Sequence, residues 1–293
     1  MNALCIYHSV DLDGWMSAAI VNLWFESGVQ APDKTIEFIG WNYGDPIPDY
    51  SEYSHVIVCD VSFPKETMEN INKCHSFVWI DHHVSAIQAV GDIDCAGIRR
   101  TDFAACELAW MHFFPEKPVP ELVRLLGMYD CFRHKGTFEE SKVLEFQYGA
   151  RAEIHGWEQA YFYLKYLNSD LDILTVHNKG VTIYRYLLAQ AKDIYKRGFQ
   201  VVFMEGDIGR KFICFNTERF NPVNFGIDYH ADGYDGAACF HYKHGSTPKW
   251  MFSIYNDNGM VDCSVIAKAL GGGGHKGASG FILDTENFLK LTQ

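Results

Sequence analysis

The chain has 293 residues, Lys+Arg 25 against Asp+Glu 37, a net charge of -12 and 48% hydrophobic residues. This composition excludes a disordered chain, and the length fits two domains, each able to close its own core. The acidic balance weighs against long duplex DNA as a partner, since such binding needs many Lys and Arg contacts to phosphate.

Residues 3–7 are apolar and follow a start with no basic leader, so they read as a first strand and not as a signal peptide. A His-Ser-Val-Asp-Leu-Asp-Gly loop comes next, then a helix through Trp15, Ala18, Val21 and Phe25. Strands are predicted at 35–39, 55–59 and 76–80, with a helix opening at Pro64 between the last two. Strands alternating with helices imply a parallel sheet, so the expected fold class is α/β. Helices follow at 101–114, 120–128 and 157–167, and a long one at 171–197 is broken only by Gly180 and ends at Gly198. Strands at 199–204, 211–216, 237–242 and 249–255, a helix at 263–270, the run Gly271-Gly-Gly-Gly-His275-Lys276-Gly277 and a closing strand at 281–283 predict a smaller mixed sheet. The expected division is 1–180, a connecting helix at 181–198, and 199–293.

No apolar run approaches the roughly 18 residues that cross a bilayer, so a soluble cytoplasmic protein with no membrane partner is expected. The nine cysteines stand singly with no C-x-x-C pair, which predicts neither disulfides nor a thiolate zinc site; a buried, reduced role is the expectation for each.

Three predicted strands end in metal-binding side chains: His8, Asp11 and Asp13 after the first, Asp60 after the third, and Asp81, His82 and His83 after the fourth. Ligands of an open α/β sheet bind at the carboxyl ends of its strands, so these side chains converge on one crevice. Alone, a D-x-D reads as a solvated turn, an Asp after a strand as a helix cap and a His as a structural residue. Placed together at successive strand ends, they read as a site. Cys59 points to the opposite face from Asp60, which fits burial.

His8-Ser-Val-Asp11-Leu-Asp13-Gly, Val58-Cys-Asp60, Asp81-His82-His83 and Met128-Tyr-Asp130 resemble, in order, the four motifs of the DHH phosphoesterase superfamily. The segment 262–280 resembles the glycine-rich signature of the DHH-associated C-terminal domain. The resemblance implies one divalent ion on His8, Asp11 and Asp60, and another on Asp13, Asp60, His82 and Asp130, bridged by Asp60. It implies that Asp81 orients an imidazole and that His83 meets substrate phosphate, making His83, Asp60 and Asp81 the catalytic group. Asp130 also reads as a polar helix terminus. Carboxylates and imidazoles suit Mn²⁺ and tolerate Mg²⁺. Two such ions, about 3.5–4 Å apart, would activate a water and clamp an in-line displacement at phosphorus.

Gly272, Gly273, Gly274, His275 and Lys276 are expected to bind substrate through close backbone approach and added positive charge; a bare glycine run reads as a flexible turn. Many short-oligonucleotide phosphodiesterases of the family have an arginine in the preceding strand, where this chain reads Phe252-Ser-Ile-Tyr255-Asn256. Tyr255 reads as core or as a stacking platform, Tyr43 as packing or rim, and Arg99 and Arg100 as a solvated pair or a phosphate contact. Asp228, His230 and Asp232 sit in a loop with no evident partners, and His241 and His244 flank a hairpin end.

These residues predict a metal-dependent phosphodiesterase of short oligonucleotides or small nucleotides, similar to the nano-RNase branch. RecJ-like processive cleavage, exopolyphosphatase, pyrophosphatase and phosphoadenosine-nucleotide phosphatase are rivals within the enzyme class, and a non-catalytic nucleotide-binding module is the rival outside it. Asp60→Ala is expected to abolish hydrolysis with the fold intact. An apolar surface could pair two copies as a homodimer, although no heptad or exposed stripe marks one.

Overall fold

The computed structural model describes residues 2–28, 34–218, 220–245 and 248–292. The chain divides into two compact units, Met1–Tyr184 and Arg185–Gln293.

In the first unit β1 (Asn2–His8), β2 (Thr35–Trp41), β3 (His55–Cys59) and β4 (Ser76–Ile80) form a parallel sheet in the order β2-β1-β3-β4. Alternate side chains serve opposite faces. Leu4, Ile6, Val56, Val58, Phe77 and Trp79 pack with Met68 and Ile71 of α2 (Lys65–Cys74) and Ala86 and Val90 of α3 (Val84–Val90). Cys5, Tyr7, Ile57, Cys59 and Ile80 pack on the other face, with α1 (Leu12–Gly28) and α4 (Ala105–Phe113). Two covered faces explain why the strands read as nearly unbroken apolar runs.

Helices α5 (Glu121–Asp130), α6 (Glu140–Glu153), α7 (Trp157–Tyr166) and α8 (Asp170–Tyr195) follow. The expected break at Gly180 does not occur. A Cβ there would lie 1.6 Å from the Glu145 carbonyl oxygen, and one on Gly149 would lie 2.0 Å from that of Val176. The two glycines let α6 and α8 cross with their backbones in contact. Helix α6 was not expected, because its N-cap, Glu139, makes no side-chain cap and leaves no start signal.

The second unit holds β5 (Phe199–Glu205), β6 (Ile208–Asn216), β7 (Gly236–Lys243), β8 (Lys249–Tyr255), β9 (Gly273–Gly274) and β10 (Ala278–Leu283), with α9 (Cys263–Ala269) and α10 (Thr285–Thr292). The sheet order is β5-β6-β7-β8-β10-β9, and its pairs are antiparallel except β6 with β7. The fold class is therefore α/β, with a parallel sheet followed by a mixed one. The glycine run is partly an edge strand. A Cβ on Gly272 would meet the Gly280 carbonyl oxygen at 2.0 Å, so β10 requires a glycine there.

All nine cysteines are free, but the expectation of burial fails for three. Cys74 is exposed at the end of α2, and Cys95 and Cys131 are half-buried. No helix among the described residues is long and apolar enough to cross a membrane.

Candidate metal centre

The centre lies at the carboxyl ends of β1, β3 and β4. His8 is the last residue of β1, and Asp11 caps α1, accepting the Gly14 N–H at Oδ1 (3.0 Å) while Oδ2 lies 2.8 Å from His8 Nδ1. Cap and candidate ligand are thus the same residue. Asp13, in the first turn of α1, is buried and accepts two N–H groups from the start of α4, Ala105 at 2.9 Å and Cys106 at 2.7 Å. A helix N-terminus favours a carboxylate.

Asp60 follows β3 with φ +64, a left-handed conformation that Asp tolerates better than most residues. Its oxygens divide: Oδ2 lies 3.4 Å from His8 Nδ1, and Oδ1 lies 3.2 Å from His82 Nε2. His82 Nε2 is also 3.3 Å from Asp130 Oδ2 and 3.6 Å from Asp13 Oδ2. Asp81, fully buried, gathers both histidines, for its Oδ1 accepts the backbone N–H of His82 (2.7 Å) and of His83 (3.0 Å) and lies 2.8 Å from His83 Nδ1.

The donor atoms fall into two groups that share Asp60: His8 with Asp11, and His82 with Asp13 and Asp130. Within the second group they stand 3.2–3.6 Å from His82 Nε2, farther than a good hydrogen bond and close to the spacing of two donors on one ion with bonds of about 2.0–2.2 Å. Asp60 Oδ1 is buried without a hydrogen-bond partner. These features fit divalent cations. Triads of potential ligands include His8–Asp11–Asp60, Asp60–His82–His83 and His82–Asp130–Cys131.

The electrostatics agree. Desolvation, reinforced by Asp60 and Asp130, pushes Asp13 well above the usual carboxylate range. Desolvation likewise raises Asp130 to about 6, against the pull of His82. Burial opposes the charge of Asp60 too, but His8, His82 and His83 outweigh it and hold the carboxyl well below its ordinary value. Burial also opposes a charged His8, but Asp11 and Asp60 drive its pKa to about 11. Crowded carboxylates are here held together by protons that a divalent cation would replace.

The structure thus brings together His8, Asp11, Asp13, Asp60, Asp81, His82, His83 and Asp130, all within the first unit. Gly272, Gly273, Gly274, His275 and Lys276 belong to the second. There the His275 N–H donates to the Ala278 carbonyl, the Lys276 carbonyl accepts from the Cys263 N–H, and the Lys276 side chain is exposed.

Several other expectations change. Arg99 is not a solvated residue: its guanidinium donates to the carbonyls of Cys95, Ala96 and Trp79, while Arg100 pairs with Asp102. Tyr43 is not packed away but 52% exposed, with its ring 6.4 Å from that of His8, which makes it a rim residue; Trp41 beside it is buried. Tyr255 packs against the second unit's core. His230 does have a partner, Asp257 at 2.8 Å, which also accepts the Tyr229 hydroxyl. Asp232 accepts the Tyr195 hydroxyl, and His241 lies 3.7 Å from Glu218.

Sequence reasoning missed Cys131, whose Sγ lies 3.4 Å from His82 Nδ1. Its place beside Asp130 was the available signal. It also missed Glu107, buried, paired with Arg133 and accepting the Ala104 N–H just ahead of the helix that holds Asp13.

No family model matches the chain. It is 23% identical over 286 residues to an uncharacterized protein, R106, of Acanthamoeba polyphaga mimivirus, covering 94% of this chain and 66% of that relative's length. Among solved structures it is similar to the pGpG-specific phosphodiesterase PggH of Vibrio cholerae, with TM-score 0.50, 13% identity, and coverage of 100% of this chain and 96% of that one. It is equally similar, at TM-score 0.50 and 15% identity, to the DHH domain of a member of the S1p family of ribosomal proteins, covering 99% of this chain and 84% of that one. The chain has the fold of the DHH-domain proteins.

Proposed function

We propose that this chain is a phosphoesterase that hydrolyses phosphodiester bonds of short oligonucleotides or small nucleotides with two divalent ions, Mn²⁺ or Mg²⁺. The observation that carries the reading is the sharing of Asp60 between two donor groups, His8 with Asp11 and His82 with Asp13 and Asp130. Ions held there would supply a water acidic enough to attack phosphorus near neutral pH, and positive charge for the phosphoryl oxygens.

The chain's own residues do the positioning. Asp81 fixes the ring of His83 through Nδ1 and, against burial, raises the His83 pKa, which favours the imidazolium whose second N–H would donate to a phosphoryl oxygen. The start of α4 holds Asp13 in place. Gly272, Gly273, Gly274, His275 and Lys276 are assigned to substrate binding, within the second unit, Arg185–Gln293, which follows the unit that holds the metal ligands. A fold shared with a pGpG-specific phosphodiesterase supports a dinucleotide-sized substrate. An acidic cytoplasmic protein would hold such a substrate with metals and a few donors.

The test is release of mononucleotide from two- to five-residue RNA and DNA oligomers with Mn²⁺ and again with chelator. Polyphosphate, pyrophosphate and a phosphoadenosine nucleotide run alongside. Asp60→Asn is the control, because Asn also accepts a positive φ. Cleavage of the shortest oligomers by the wild type, lost by 10³-fold or more in Asp60→Asn, is the expected result. Turnover of the other phosphates alone would change the substrate, and wild-type rates in Asp60→Asn would remove the mechanism.

A further inference from the structure

Arg151, in the last turn of α6, is among the described residues one of several arginines without a carboxylate partner, with Arg99 and Arg197, whose guanidinium groups donate to backbone carbonyls. Arg100 pairs with Asp102, Arg124 with Glu121 and Glu139, Arg133 with Glu107 and Arg210 with Glu205. Among the described residues no carboxylate comes within ion-pairing distance of Arg151, although acidic side chains outnumber basic ones 37 to 25. Its guanidinium instead sits 5.2 Å from the ring centroid of Tyr129 and 5.7 Å from that of Tyr148. Cation–π contacts hold a guanidinium in place and leave its N–H edge able to donate.

One of its two ring partners, Tyr129, lies on the helix that carries Asp130. Tyr129 directly precedes Asp130, whose carboxylate lies 3.3 Å from His82 Nε2. The Tyr129 ring stacks on that of buried His134 at 5.5 Å, and His134 Nδ1 is 2.9 Å from the Met128 carbonyl oxygen, so the platform under Arg151 is fixed. Burial is the largest influence on the charge of Arg151, and the carboxylate that acts on it is Asp11, the most exposed member of the cluster. Yet the side chain is exposed to solvent. Arg151 is thus open to solvent and close enough to Asp11 for the two charges to act on each other.

We propose that Arg151 binds a second anionic group of the substrate, a phosphate other than the one attacked. A planar fork of N–H donors suits two phosphate oxygens at once, and its charge offsets the repulsion that an acidic cluster exerts on a second phosphate. The proposal rests on the phosphodiesterase reading and narrows it to substrates such as a 5′-phosphorylated dinucleotide.

The experiment compares pApA with ApA, for wild type, Arg151→Gln and Arg151→Lys, as kcat and KM with Mn²⁺ and as pApA binding with Ca²⁺ in its place. The wild type is expected to favour pApA by about tenfold or more in KM. Arg151→Gln should raise KM for pApA by that factor, with kcat within about twofold and ApA unchanged, and Arg151→Lys should recover part of it. Equal effects on both substrates, or none on either, would overturn the proposal while leaving the hydrolase standing. Binding of pApA that depends on Arg151, without turnover by the wild type, would sink the hydrolase and keep the arginine site.

Discussion

One carboxylate in the centre sits where a folded chain would not place it for stability. Asp130 ends α5, where the helix dipole disfavours negative charge by about 0.3–1 kcal/mol, and desolvation has already raised it to about 6. Asp130→Asn should therefore stabilise the chelated protein at pH 7.5 by about 1 kcal/mol, a gain of a few degrees in Tm, while weakening its response to Mn²⁺. A raised carboxyl pKa contributes stability that is present below the unfolded value of 3.8 and lost as pH rises through about 6. His8 has the same sign at a higher window, its contribution falling from the unfolded value of 6.5 upward and gone above about 11. The chelated protein should thus weaken from pH 5 to 7.5. Mn²⁺ must displace those protons, so its affinity should strengthen over the same range by up to about tenfold per pH unit for each proton released. Melting curves with Mn²⁺ and with chelator at both pH values check this: the gap between them should widen with pH, and a constant gap would count against His8 and Asp130 as ligands.

At the scale of elements, glycines decide where helices can lie. A Cβ on Gly14 would stand 2.1 Å from the His8 carbonyl oxygen, so α1 can start directly over the end of β1 only with glycine there. That close start brings Asp11 and Asp13 beside His8. Gly14→Ala should cost activity more than stability, measured as a larger fall in Mn²⁺-dependent turnover than in the chelated Tm. Gly180 acts in packing alone. Gly180→Ala should destabilise by about 1–3 kcal/mol or more, because its new methyl meets backbone in α6 and cannot be accommodated by a rotamer change. Urea unfolding would measure it, and a neutral outcome would mean that α6 and α8 do not cross so closely. Strands β3 and β4 were legible residue for residue, since their apolar runs are bounded by polar neighbours. Helices α3, α6 and α10 were not, being short or without a start signal.

Across the whole molecule, every candidate metal ligand lies in the first unit, and separate apolar clusters underlie the two sheets. Hydrogen exchange should therefore slow on adding Mn²⁺ at residues 8–14, 60, 81–83 and 130, with far less change in β6, β7 and β8. Equal protection throughout would show that the metals order more than their own ligands. The net charge of -12 makes an acidic surface, so binding of an anionic substrate should depend on the few cations placed for it and weaken when salt screens them.

Taken alone, the sequence determined the α/β class, the four parallel strands and the residues that end three of them. Those features are local: apolar runs set strands, and the residue after a buried strand emerges at the sheet's carboxyl edge whatever else the chain does. Tertiary structure decided what those residues face. The division of Asp60 between two imidazoles, the hold of α4 on Asp13, the thiol of Cys131 beside His82 and the contact of Arg151 with the ring of Tyr129 all join segments distant in sequence or on different helices. Gly180 makes the same point, since a residue read as a helix breaker becomes a contact once a second helix lies against it. Propensity acts over a few neighbouring residues, whereas close packing is set by whichever backbone arrives from elsewhere.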